Sequence, residues 1–259
     1  MPHSPCRPAP NRTRRSRRRP VTSLLVILPL LALGWAIVAG VPGLTPGETF
    51  VPGPAESRAT ATGDAADLLA TLPVKGKAAK TGYDRTGEFG SAWRDEDANG
   101  CDTRNDILAR DLTAIVTDES CRVLSGMLVA PYTGESVSFE RGETTSMLVQ
   151  IDHLVALSNA WQTGAQQLER AERIALANDP LNLLASDGPS NAQKGDGDAA
   201  TWLPAEKSFR CEYVARQISV KAVYGLWVAP AEQDAMARVL ATCPGQPAYA
   251  AGSDRPPPR

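Results

Sequence analysis

The apolar positions of this chain change period several times, and each change predicts an element. Between Thr103 and Val116, Leu108, Leu112 and Ile115 recur at helical spacing, which predicts a helix there. RVLSGMLVA and ESVSF come next, two apolar runs parted by PYTG. Pro131, Thr133 and Gly134 are turn residues, so the pair predicts a hairpin. MLVQIDHLV predicts a third strand ending near Val155. Ser158 to Ala177 reads as a helical stretch, amphipathic over QQLERAERIALA. LNLLA, residues 181–185, predicts another short strand, and Ser190 is a candidate N-cap within SNAQKGD, a loop or helix start. SFRCEYVARQISVKAVYGL and APAEQDAMARVLATC predict two closing helices, the last with Pro230 near its first turn. The sum is an α+β fold, a small antiparallel sheet with several helices and no internal repeat.

The ends carry a different pattern. Residues 1–20 hold seven arginines and no acid, and residues 21–41, VTSLLVILPLLALGWAIVAGV, form one apolar run. Its length suits about one membrane span, near 20 residues. The basic flank places the N-terminus in the cytoplasm. Two readings stay open: a signal anchor that remains in the membrane, or a signal peptide cut near Ala39. The clustered arginines also allow a twin-arginine export signal. Each reading puts the chain beyond this run at the cell surface or outside the cell. Residues 42–75 read as a linker rich in Pro, Gly, Ala and Thr, although DLLATLPV can dock as a first short element. Residues 76–243 then suit one compact domain, and residues 244–259 read as a disordered tail.

Export changes what the cysteines mean. Cys101, Cys121, Cys211 and Cys243 form an even set beyond the leader, which in an oxidising compartment suggests two disulfides. Of the three pairings, Cys101–Cys121 and Cys211–Cys243 are favoured because each brackets one local segment. A zinc site is the rival, disfavoured by the lack of a CxxC pair and by a single histidine beyond the leader. Without its leader the chain carries 20 basic and 29 acidic residues, about −9. Such a balance does not point to broad phosphate binding; contact with nucleic acid needs a local basic patch or a metal.

The chemistry concentrates in two segments. IDHLVALSNAW holds His153 beside Asp152 at a predicted strand end. Adjacent strand residues point to opposite faces, so a site using both must bend the backbone or work on two sides of one phosphate. DPLNLLASDGPSNAQKGD supplies Asn182, Asn191 and Lys194. Together these resemble the HNH endonuclease signature in its His–Asn–Asn form. The order GCDTRNDILARDL, PYTG, IDHLVALSNAW, ANDPLNLLA, NAQKGDGDAATWLP, FRCEYVARQISVKAVYGLW extends the resemblance from about Tyr83 to Cys243. It is similar to exported actinobacterial HNH nucleases and to the C-terminal nuclease domain of modification-dependent restriction enzymes. The resemblance implies a ββα-metal core within the sheet. It also implies metal-dependent cleavage of DNA, with Asp152 and Asn191 as ligands of one Mg²⁺, Mn²⁺ being an alternative.

A neutral imidazole near pH 7 is matched to take a proton from water, so His153 is the candidate general base. Asn182 either orients His153 or pins its loop. Lys194 either neutralises a phosphate oxygen or is a solvated loop lysine. Arg104, near Cys101, either reaches a phosphate or pairs with Asp102 or Asp106. Ala130 before the PYTG turn and Ala156 after the DH pair depart from an acid and a proline seen in relatives, which implies altered packing. Three other readings compete. A serine hydrolase lacks its GxSxG elbow. A metal-independent ribonuclease needs only one histidine, an acid and an arginine. A non-catalytic surface module that binds nucleic acid has no need of Asp152, His153 and Asn191 together.

Overall fold

The computed structural model describes residues 64–250. The basic leader, the apolar run of residues 21–41 and the outer parts of the linker and tail lie outside them. Among the described residues no helix is long and apolar enough to cross a membrane.

The first element is α1 (Ala65–Thr71), capped by the Asp64 carboxylate, which accepts from the Ala66 N–H at 2.7 Å. Ala65, Leu69 and Leu72 enter the main core. The expected linker therefore ends earlier than residue 75, because DLLATL has two leucines at helical spacing to bury. The expected tail also starts later than residue 244: Pro247 bridges to Asp64, and the Tyr249 N–H donates to Ser219 Oγ at 2.9 Å.

Next come α2 (Arg85–Phe89) and α3 (Thr103–Asp111). The helix expected to run to Val116 stops at Asp111, and Thr113–Thr117 is the strand β1. TAIVT is rich in β-branched residues, which fit a pleated surface better than a helix. It pairs antiparallel with β2 (Val123–Val129), which pairs with β3 (Ser136–Glu140) across the PYTG turn, as the hairpin pattern predicts. A second sheet holds β4 (Val149–His153) antiparallel to β5 (Leu183–Asp187), with His153 opposite Leu183 and Val149 opposite Asp187. One expected sheet is thus two.

The stretch expected as one helix from Ser158 divides into α4 (Leu157–Gln162) and α5 (Arg170–Asn178). Gly164 breaks it at φ +131°, where a Cβ would meet Leu226 and Trp227 at 3.2 Å. The helix α6 (Gly188–Lys194) comes directly after β5, and its N-cap is Asp187 in place of Ser190: the carboxylate accepts from the Ser190 N–H. Finally α7 (Arg210–Val223) and α8 (Pro230–Leu240) close the fold. Disulfides join Cys101 to Cys121 and Cys211 to Cys243, the favoured pairing.

Packing leaves the β4–β5 pair between two clusters. Val149, Ile151, Leu183 and Ala185 meet Ile107, Leu108 and Leu112 around α3. Leu154 and Leu184 meet Tyr132, Tyr213 and Ile218 around α7. The pair is covered on both faces, so most of its side chains are buried, the polar ones of the DH pair included.

Candidate active site

Strand alternation decides where the two residues of the DH pair go. Asp152 points to the α7 side, where it meets Tyr132, and His153 points away from it. His153 is 6% exposed, and its Nε2 lies 2.8 Å from the Ala177 carbonyl oxygen. A carbonyl only accepts, so Nε2 carries the ring proton and Nδ1 of the neutral ring keeps its lone pair. The Trp93 ring lies nearly parallel, 6.4 Å away between centroids. A cavity of about 50 Å³ beside the imidazole is lined by Arg85, Trp93 and Asn178 among others. Burial, then the charges of Arg85 and Lys194, hold the imidazolium pKa down to about 3, against the Ala177 carbonyl, which raises it. The ring is neutral at pH 7.

Asn182 is fully buried and takes the loop-pinning role. Its Oδ1 accepts from the Val155 N–H at 2.8 Å, and its Nδ2 donates to the Val155 and Leu176 carbonyls at 3.3 Å. It clasps the turn after His153 to the end of α5, one residue from the carbonyl that holds the imidazole.

Two arginines tighten the same place. Arg110 donates to the Pro180 and Leu183 carbonyls at 2.9 and 2.8 Å. Arg216 donates to the Pro180, Leu181 and Leu183 carbonyls at 2.9–3.1 Å through Nη2. Burial first, then Arg110, brings the Arg216 guanidinium down to about 10, so it remains charged. The sequence reading missed both. The available signal was a charged residue on the apolar face of α7, beside Tyr213 and Val220.

Lys194 is neither a solvated loop lysine nor set against open space. Its side chain is fully buried; Nζ lies 3.0 Å from Asp152 and donates to the His153 carbonyl at 2.8 Å. Tyr132, read only as part of a turn, donates its hydroxyl to Asp152 Oδ2 at 2.5 Å. Desolvation and the Asp152 charge hold its phenol protonated, well above the usual range. Asn191 turns its Nδ2 to Gln150 Oε1 at 2.8 Å, two residues from Asp152 on the same strand face. Arg104 reaches the Val149 carbonyl at 3.3 Å through Nη2; burial first, then Arg141, lowers its pKa, and Asp102 opposes them. The structure brings together Asp152, His153, Asn182 and Lys194, and leaves Arg104 at the far end of β4.

A divalent ion does not fit this arrangement as it stands. Both Asp152 oxygens are occupied, by an ammonium and a hydroxyl, and Asp152 is 5% exposed. Among the described residues, no three or more His, Cys, Asp or Glu side chains are grouped to hold a metal ion. Ala130 and Ala156 are both buried, so the expected departures fall on packing positions.

An "Uncharacterized secreted protein" of Arthroderma benhamiae is 36% identical over 197 residues, 75% of this chain and 92% of that protein. No solved structure matches the chain. Residues 102–239, from α3 into α8 and including Asp152, His153, Asn182, Asn191 and Lys194, match the family described as GmrSD restriction endonucleases, C-terminal domain. The chain belongs to that nuclease family.

Proposed function

We propose that the exported part of this protein is an HNH-type endonuclease that hydrolyses phosphodiester bonds of DNA in preference to RNA. His153 is the general base. The observation that carries this reading is the hydrogen bond from His153 Nε2 to the Ala177 carbonyl, which commits one ring nitrogen and leaves Nδ1 to take a proton from water. Asn182, Arg110 and Arg216 hold that geometry by fixing both chain segments that meet at the imidazole. The reaction is read as requiring Mg²⁺ or Mn²⁺, with Asp152 and Asn191 the residues to hold it. They would hold it only if Lys194 released Asp152.

Export is supported by the arginine-rich leader with its apolar run, by two disulfides and by the secreted relative. Residues 21–41 act either as a cleaved signal or as a membrane anchor.

The test is plasmid DNA and a structured RNA incubated with the protein from residue 42 onward, with Mg²⁺, with Mn²⁺ and with EDTA. Wild type is expected to cut DNA with metal only. His153→Ala is expected to lose at least about 10²-fold, the usual contribution of a general base. Equal rates for both proteins would sink the mechanism. One observation favours a metal-independent ribonuclease instead: Lys194 already neutralises Asp152. EDTA-resistant RNA cleavage would select that reading.

A further inference from the structure

We infer that Arg85 is the phosphate anchor of this site: the cavity beside His153 takes one phosphate of a nucleic-acid strand, and the Arg85 guanidinium holds it there. The inference rests on the nuclease reading above and names a binding residue which that reading lacks. Arg104, the arginine expected to reach a phosphate, is committed to the Val149 carbonyl at the far end of β4.

Arg85 is the first residue of α2 and is exposed. Among the described residues, its guanidinium has no hydrogen-bond or ion-pair partner. Every other described arginine except Arg238 donates to a carbonyl or pairs with an acid. An arginine on a cavity wall with no internal partner keeps its five donors for a ligand, in a fork that matches two phosphate oxygens.

The cavity suits that ligand. Its volume of about 50 Å³ has room for roughly four water-sized groups, so it admits the oxygens of one phosphate and excludes a base. Its lining is exposed at Arg85, Thr86 and Ser91 and buried at His153, Leu157 and Ala177. A phosphate entering past the exposed residues comes to rest against the imidazole. No carboxylate lines the cavity, although the chain beyond its leader is about −9. The charges that lower the imidazole pKa after burial, Arg85 and Lys194, are both positive. The cavity is therefore the local basic patch that an acidic nuclease needs.

The probe is thymidylyl-thymidine, a dinucleotide with one phosphodiester, added in EDTA to full-length protein labelled with ¹⁵N-histidine. The His153 ring signal is assigned by its loss in His153→Gln. In wild type it is expected to shift to saturation. Arg85→Gln is expected to raise the half-saturating concentration at least about tenfold, as loss of a charge-assisted hydrogen bond does. Arg85→Lys keeps the charge, loses the fork and is expected to fall between. Arg238→Gln, on α8, is expected to bind as wild type does. Equal affinity in wild type and Arg85→Gln overturns the inference. So does a wild-type signal that the dinucleotide never moves, whether or not inorganic phosphate moves it.

Plasmid cleavage by the same variants separates this inference from the reading it rests on. Cleavage by Arg85→Gln with the wild-type kcat and KM overturns the anchor and leaves the nuclease reading intact. Tenfold weaker dinucleotide binding in Arg85→Gln, with no cleavage by wild type under any metal, supports the anchor and sinks the nuclease reading.

Discussion

His153 is almost wholly withdrawn from solvent. Its Nε2 is committed to Ala177, and the Arg85-to-Trp93 segment covers the ring. The energetic consequence has a definite sign. Burial and two cations depress the folded-state pKa to about 3, while the unfolded chain returns to about 6.5. Protonation therefore favours the unfolded state. The stability contributed by the neutral ring is complete above about pH 6.5 and declines as pH falls from there towards the folded value. Melting temperature should fall over that window in wild type and stay flatter in His153→Gln, measured by circular dichroism in matched buffers. Parallel curves would show that His153 is hydrated in solution. The DH pair, both asparagines and Lys194 were legible as residues because they stand in two short segments. Their contacts were not. Tyr132 and Lys194 lie 20 and 42 positions from Asp152, and only the closed fold brings them to it.

At the scale of elements, the strands ending in the hairpin and the two closing helices follow from period alone. The failures have both local and tertiary causes. The apparent helix to Val116 breaks at Asp111 because tertiary contacts capture that residue: its carboxylate accepts from the Ala185 N–H at 2.8 Å and pairs with Arg110. Three apolar residues at helical spacing carry no sign of the strand that Asp111 abuts. Asn182 is the clearest joint between elements. Asn182→Ala leaves the Val155 N–H and two carbonyls unpaired in the core, which should cost about 2–4 kcal/mol. It should also slow cleavage more than an equally destabilising change remote from β4, because the turn after His153 loosens. Chemical denaturation together with rates at a temperature where the variant stays folded would show both. If rate loss merely follows unfolding, Asn182 does no more than hold the fold.

The disulfides belong to this scale as well. Cys101 directly precedes Asp102, the N-cap of α3, and is tied to Cys121 in the turn between β1 and β2. The separation of 20 residues corresponds to about 3 kcal/mol of chain entropy. Cys101→Ser with Cys121→Ser should lower the denaturation midpoint accordingly, and a reductant should do the same to wild type. A midpoint indifferent to both would mean that α3 is held by its apolar face alone.

For the molecule as a whole, charge and boundaries decide how the domain should be handled. The chain beyond its arginine-rich leader is acidic, about −9, and several of its cations are committed internally: Lys194, Arg216 and Lys221 are all buried and paired. Recognition of nucleic acid must therefore be local to the site. The boundary matters more directly. A piece cut at residues 76–243, the limits that composition suggests, would lack α1 and the strand-like end at Pro247. Leu69 and Leu72 pack against the core that also holds Tyr132 and Tyr213 around Asp152. Burying a leucine is worth about 1.5–3 kcal/mol, partly offset by the entropy of ordering the helix, so the loss is on the order of 3 kcal/mol. Urea denaturation of residues 64–250 and 76–243 should place the shorter piece at a clearly lower midpoint, with a smaller slope because less surface is exposed on unfolding. Equal midpoints would mean that α1 contributes no net stability.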